Sequence, residues 1–150
     1  VKQSCLLASS LALVLLAHAP VAQAQLSCST APNAASYTRE LQSMLFSHLR
    51  MRPIHEQELR SDFARSRTRP DAAQLQAKLK QIVADPKTVE LGVQYDAAKV
   101  NLDPALQDAV RIAAADLVRS CPQLERAYAL AKAEEDVRNK YIGALREALK

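Results

Sequence analysis

Glycine is almost missing from this 150-residue chain, with Gly92 and Gly143 as its two examples. Two glycines cannot build a phosphate-cradling loop, and they leave no supply of the Gly-rich turns that join short strands. Histidine is nearly as scarce, with three in all, and no nucleophile–base pair can be assembled from the sequence. The motif G-x-S-x-G is absent. His55-Glu56 opens like the zinc-protease motif H-E-x-x-H, but Leu59 stands where the second histidine belongs. Glu134, Glu135 and Asp136 are consecutive, and consecutive residues on a helix point in different directions. Cys-x-x-Cys and the haem-attachment pattern Cys-x-x-Cys-His are missing as well. These absences favour a protein that is not an enzyme and carries no cofactor.

What is present starts at the N-terminus. Residues 1–24 read as a secretory signal peptide. Lys2 supplies the positive start, residues 6–17 form an apolar run broken by two serines, and Ala22 and Ala24 precede a cleavage point before Gln25. The run is about a dozen residues, short of the roughly 20 that a membrane-spanning helix needs. Gln25, where a lipoprotein signal wants a branched apolar residue, points to a soluble product. The expected address is therefore the periplasm or the secreted fraction.

Cleavage would remove Cys5 and His18 and leave an even pair of cysteines, Cys28 and Cys121. In an oxidising compartment two such thiols pair. The sequence thus predicts an intramolecular disulfide that ties the N-terminal extension to the last helix.

The rest of the chain is rich in strong helix formers, and no segment alternates with a sustained period of two. The fold class that follows is all-α: a small helical bundle of four to six helices tied by one disulfide and preceded by the signal peptide. Residues 25–35 are expected to be an irregular extension, and residues 36–150 a single helical domain. A first helix is expected over 36–50, with Pro53 ending or kinking it. A weaker helix carries Ile54, Leu59 and Phe63. Thr68 and Asp71 mark the next start, ahead of the stripe Ala72, Leu75, Leu79, Ile82 and Val83. Asp85-Pro86 and Asp103-Pro104 each read as a capping Asp followed by Pro at the first helical position; Gly92 interrupts the first of these helices. A capping box over 120–123 opens a last helix that runs almost to Lys150. Its middle, with Glu134–Arg138 and Asp136–Lys140 four residues apart, reads as a solvated stretch.

Two constellations are candidates for binding. Met44, His48, Met51 and His55 would stack along one face of a continuous helix, and thioether with imidazole suits copper. Against this, Met44 and His48 lie in the apolar stripe of the first helix, where a core role is the simpler reading. No metal ligand is therefore assigned. The second is a run in which every cation is arginine, from Arg39 to Arg69, with Arg60, Arg65, Arg67 and Arg69 as its dense part. Residues 25–80 hold nine positive against five negative side chains, whereas residues 81–150 hold ten against eleven. Arginine makes planar, bidentate contacts with carboxylates and phosphates. Phe63 is the only aromatic within this dense part, so nucleic acid is not the expected target. An envelope or exported protein with an acidic surface, or anionic lipid, is. The function expected is that of an exported, non-enzymatic helical protein that binds another macromolecule, as inhibitor, immunity protein or adaptor. The alternative is a periplasmic small-ligand or copper carrier using the Met/His cluster.

Overall fold

The computed structural model describes residues 27–150. The signal peptide, its cleavage point, Cys5 and His18 lie outside the described residues. Four helices account for nearly all of the rest: α1 (Ala34–Ser66), α2 (Ala72–Ala84), α3 (Pro86–Ala115) and α4 (Cys121–Glu147). The molecule is an all-α four-helix bundle with the Cys28–Cys121 disulfide formed.

Two of the expected breaks are not breaks. Helix α1 is continuous through Pro53 over 33 residues, about 50 Å at the helical rise. Helix α3 is continuous through both Gly92 and Pro104 over 30 residues. A proline inside a helix costs one backbone hydrogen bond, and packing along the rest of a long helix outweighs that local loss. Asp103 is accordingly not a cap; its carboxylate faces Arg52 across the bundle, 3.7 Å away. Asp85 does cap α3, accepting from the backbone N–H of Lys87 and of Thr88, with Pro86 in the first turn. Helix α1 starts two residues before the expected Ser36, where Asn33 accepts from the N–H of Ser36. Thr68 and Ser120 do not cap through their side chains. Their hydroxyls donate back to the carbonyls of Arg65 and Leu117, and Asp71, at the N-cap position of α2, makes no side-chain cap bond either.

Helices α1 and α4 run parallel: Tyr37 meets Glu125, Arg52 meets Glu134, and Asp62 meets Arg146. Helix α3 runs antiparallel to both, since Glu56 meets Tyr95 and Gly92 lies against Tyr141. Helix α4 is the central element, packed on one side by α1 and on the other by α3. The short α2 lies against α3 and α4 and buries Leu75.

The central position of α4 is written in its buried residues. Leu124, Ala127, Ala131, Glu134, Arg138, Ile142 and Leu145 recur at three- and four-residue steps and form one seam. Around the disulfide this seam joins Leu41 and Leu45 from α1 and Leu102 and Ala109 from α3 in one apolar cluster. Burying each such leucine stabilises the fold by about 2 kcal/mol. Small residues at 127 and 131 let the neighbouring helices approach closely.

The same seam corrects half of the expected solvated stretch in mid-helix: Asp136 and Lys140 are exposed, but Glu134 and Arg138 are not. Glu134 is 2% exposed and Arg138 is not exposed at all. Spacing alone identified this i,i+4 pair but not the side of the helix that would be covered. The bundle therefore has a charged layer in its interior, with the apolar cluster on one side of it. On the other side lie Tyr95, Ile142, Leu145 and Leu75.

Candidate functional site

The far end of the bundle, where α1 and α4 finish, carries an open groove of about 470 Å³ lined by Asp62, Arg65, Ser66, Arg69, Arg146, Leu149 and Lys150. Each cation comes from a different local cause. Arg65 projects from the last turn of α1. Arg69 lies in the turn that follows, fixed by two parallel bonds to Asp71 at 2.9 Å and by a bond to the Leu149 carbonyl at 3.3 Å. Arg146 comes from the last turn of α4 and reaches across to α1, donating to Asp62 at 2.9 Å and to Glu58 at 3.1 Å. Those carboxylates raise the pKa of its guanidinium above its ordinary value, the Glu58 hydrogen bond contributing most and burial opposing it. Asp62 is shared, since its other oxygen accepts from Arg65 at 2.5 Å.

Of the four arginines singled out in sequence, the structure brings two, Arg65 and Arg69, into the groove. Arg60 is exposed on α1 and donates to Gln57, while Arg67, exposed just past the end of α1, has no ion pair among the described residues. Two further groove cations, Arg146 and Lys150, were not legible as part of the patch. They lie some eighty residues away in the chain, and only the parallel packing of α1 on α4 brings them there.

The groove is not a bare positive surface. Asp71, Glu58 and Glu147 each hold one of its cations, and Asp62 holds two. The arginines are oriented by carboxylates, and an acidic ligand would have to compete with those carboxylates for their remaining N–H groups. The long-range field that draws a cation cluster to a membrane surface is correspondingly weak.

Continuity of α1 does place Met44, His48, Met51 and His55 on one helix, as the spacing required. The structure gives His48 other neighbours. Its Nδ1 comes within 2.5 Å of Glu135 Oε2, and its ring packs edge-on against Tyr128. Among the described residues there is no group of three or more His, Cys, Asp or Glu able to hold a metal ion.

His48 instead stands at the edge of a chain of side-chain contacts through the charged layer. Glu135 faces Arg138 at 3.7 Å, and Arg138 donates to Glu134 at 2.9 Å. Glu134 also accepts from Arg52 at 3.1 Å, and Arg52 faces Asp103 at 3.7 Å. One turn further on, the Tyr95 hydroxyl donates to Glu56 at 2.7 Å, and burial followed by that carboxylate drives its pKa well above the ordinary tyrosine value. Near the disulfide, Glu125 accepts both the Cys28 N–H and the Tyr37 hydroxyl. Burial first, and Glu125 second, raise the Tyr37 pKa as well.

No protein-family model, curated protein or solved structure matches the chain. No helix among the described residues is long and apolar enough to cross a membrane. The disulfide is the kind of bond that persists in an oxidising compartment.

Proposed function

We propose that this is an exported, non-enzymatic binding protein that uses the groove at the far end of the bundle to take an acidic segment of another envelope or exported protein. The observation that carries the reading is the convergence of Arg65, Arg69, Arg146 and Lys150 on one concavity with Leu149 in its wall. Guanidinium forks held by carboxylates are set to receive further carboxylates, and the apolar wall offers contact to the stems of an acidic chain. The near-complete local charge balance favours short-range contact of this kind over attraction to anionic lipid. Export rests on the apolar leader in residues 1–24 together with the disulfide.

The test is fluorescence anisotropy with a labelled hexaglutamate peptide, run beside flotation of the protein on phosphatidylglycerol vesicles. The expected result is saturable peptide binding that weakens at least about tenfold in the Arg65→Glu, Arg69→Glu double variant. Equal peptide affinity in parent and variant would remove the groove from the reading. Vesicle capture without peptide binding would replace the protein partner with lipid.

A further inference from the structure

We propose that the groove between α1 and α4 beside the disulfide binds a short apolar peptide, three residues long, by its two charged ends. This cavity of about 570 Å³ lies between two stripes of matched length. On α1 the stripe is Tyr37, Leu41 and Met44, and on α4 it is Glu125, Tyr128 and Lys132. Each covers two turns, about 10.5 Å of helix. The helices are parallel and the Tyr37 hydroxyl donates to Glu125, so the stripes run side by side from the same level.

The two ends of the groove carry opposite charges. At the disulfide end, Glu125 Oε1 accepts from the Cys28 N–H and the Tyr37 hydroxyl, both neutral donors. At the other end, the ammonium of Lys132 lies over the Tyr128 ring, 6.0 Å from its centroid. Among the described residues neither Glu125 nor Lys132 forms an ion pair. The arginine groove is the opposite case, since each of its cations already has a carboxylate. Between the two charges the surface is apolar, formed by Leu41, Met44 and the tyrosine rings.

A ligand that matches this surface has a cation for Glu125, an anion for Lys132 and apolar groups between them. The charges must stand about 10 Å apart, the length of two helical turns. An extended chain advances about 3.3–3.6 Å per residue, so a tripeptide with free termini has that reach. Its α-ammonium meets Glu125 Oε2, its α-carboxylate meets Lys132 Nζ, and its middle side chain covers Leu41 and Met44. A ligand with one charge leaves one end unmatched, and a longer chain carries its second terminus past Lys132. The site does not depend on what the arginine groove binds.

The probe is Ala-Leu-Ala with free termini, titrated into the isotope-labelled, disulfide-bonded protein and followed by NMR. Saturable shifts are expected in the amides of residues 37–44 and 125–132, with a dissociation constant of about 0.1 mM, ordinary for a ligand this small. Acetylating the N-terminus or amidating the C-terminus should each weaken binding about threefold to fivefold, the scale of one exposed ion pair. Lys132→Gln, a change at an exposed position, should make free and amidated peptide bind alike. Glu125→Gln keeps an acceptor for Cys28 and Tyr37, and should make free and acetylated peptide bind alike. No saturation below about 5 mM, equal affinity for free and capped peptides, or shifts confined to the arginine groove would each overturn the proposal.

Discussion

The half of the bundle around the disulfide and the half beyond Arg138 are built from the same three long helices and are held in different ways. In the disulfide half, leucines and alanines from α1, α3 and α4 close into one cluster, and a covalent bond pins the chain entry to the start of α4. In the far half the buried apolar side chains are fewer, and ion pairs and a tyrosine–carboxylate bond span the helices. Apolar burial is non-directional and insensitive to pH, whereas charged contacts depend on geometry, protonation and salt. The first half is therefore suited to be the fixed scaffold. The contacts of the second depend on geometry and salt, and the groove lies there.

The sharpest way to break this comparison is to remove the covalent bond. Replacing both Cys28 and Cys121 by Ser opens a link that spans 93 residues. The loss expected from loop entropy is about 4–5 kcal/mol, measured as the shift in urea unfolding. If the disulfide half is already fixed by its core, helix content before the transition should stay unchanged.

Next in size is the charged layer. Glu134→Ala leaves Arg138 and Arg52 only their longer contacts to Glu135 and Asp103, and the loss expected is about 3 kcal/mol, the low end for breaking a buried ion pair. Replacing Glu134 and Arg138 together by Leu and Met should recover part of that loss, because the pair itself is expensive to bury. Denaturant unfolding of the single and double variants reads both numbers.

A smaller effect separates the tyrosines. Tyr95 has a raised pKa in the folded state, so its contribution is present below the unfolded value of about 10 and is lost as pH rises beyond it. Tyr95→Phe should cost about 1 kcal/mol at neutral pH and make the alkaline loss of stability shallower. Tyr37, raised in the same direction in the disulfide half, should account for part of the slope that remains. Thermal melts at a series of alkaline pH values decide this.

Smallest is the response to salt. The exposed pairs Arg65–Asp62, Arg69–Asp71 and Lys150–Glu147 should lose only a few tenths of a kcal/mol when salt is raised to about 1 M. Exchange of the far-half amides should show it while the amides around the disulfide do not.

Much of this architecture was legible before any coordinates. The helical class, the cysteine pairing and the Asp85-Pro86 start all rest on local chemistry, namely helix propensity, the oxidation of the two thiols that follow residue 24 and the fixed φ of proline. Pro53 and Pro104 misled because a local penalty was weighed without the packing of the long helices that carry them. The layer at Glu134 and Arg138 was misread for a related reason. An i,i+4 ion pair looks the same in sequence whether water or another helix covers it.

The groove shows the same division. Arg65 and Arg69 stood out as part of a dense run, and the structure does place them in one concavity. Arg60 and Arg67, from the same run, project elsewhere. Helical rotation turns neighbours in sequence to different faces, and parallel packing of α1 on α4 supplies Arg146 and Lys150 instead. Composition and spacing by themselves determined an all-α chain with one disulfide, because these are properties of short stretches and of residue counts. Only the tertiary structure decided which charges are buried, which are neutralised and which converge, because those depend on the helix that each side chain meets.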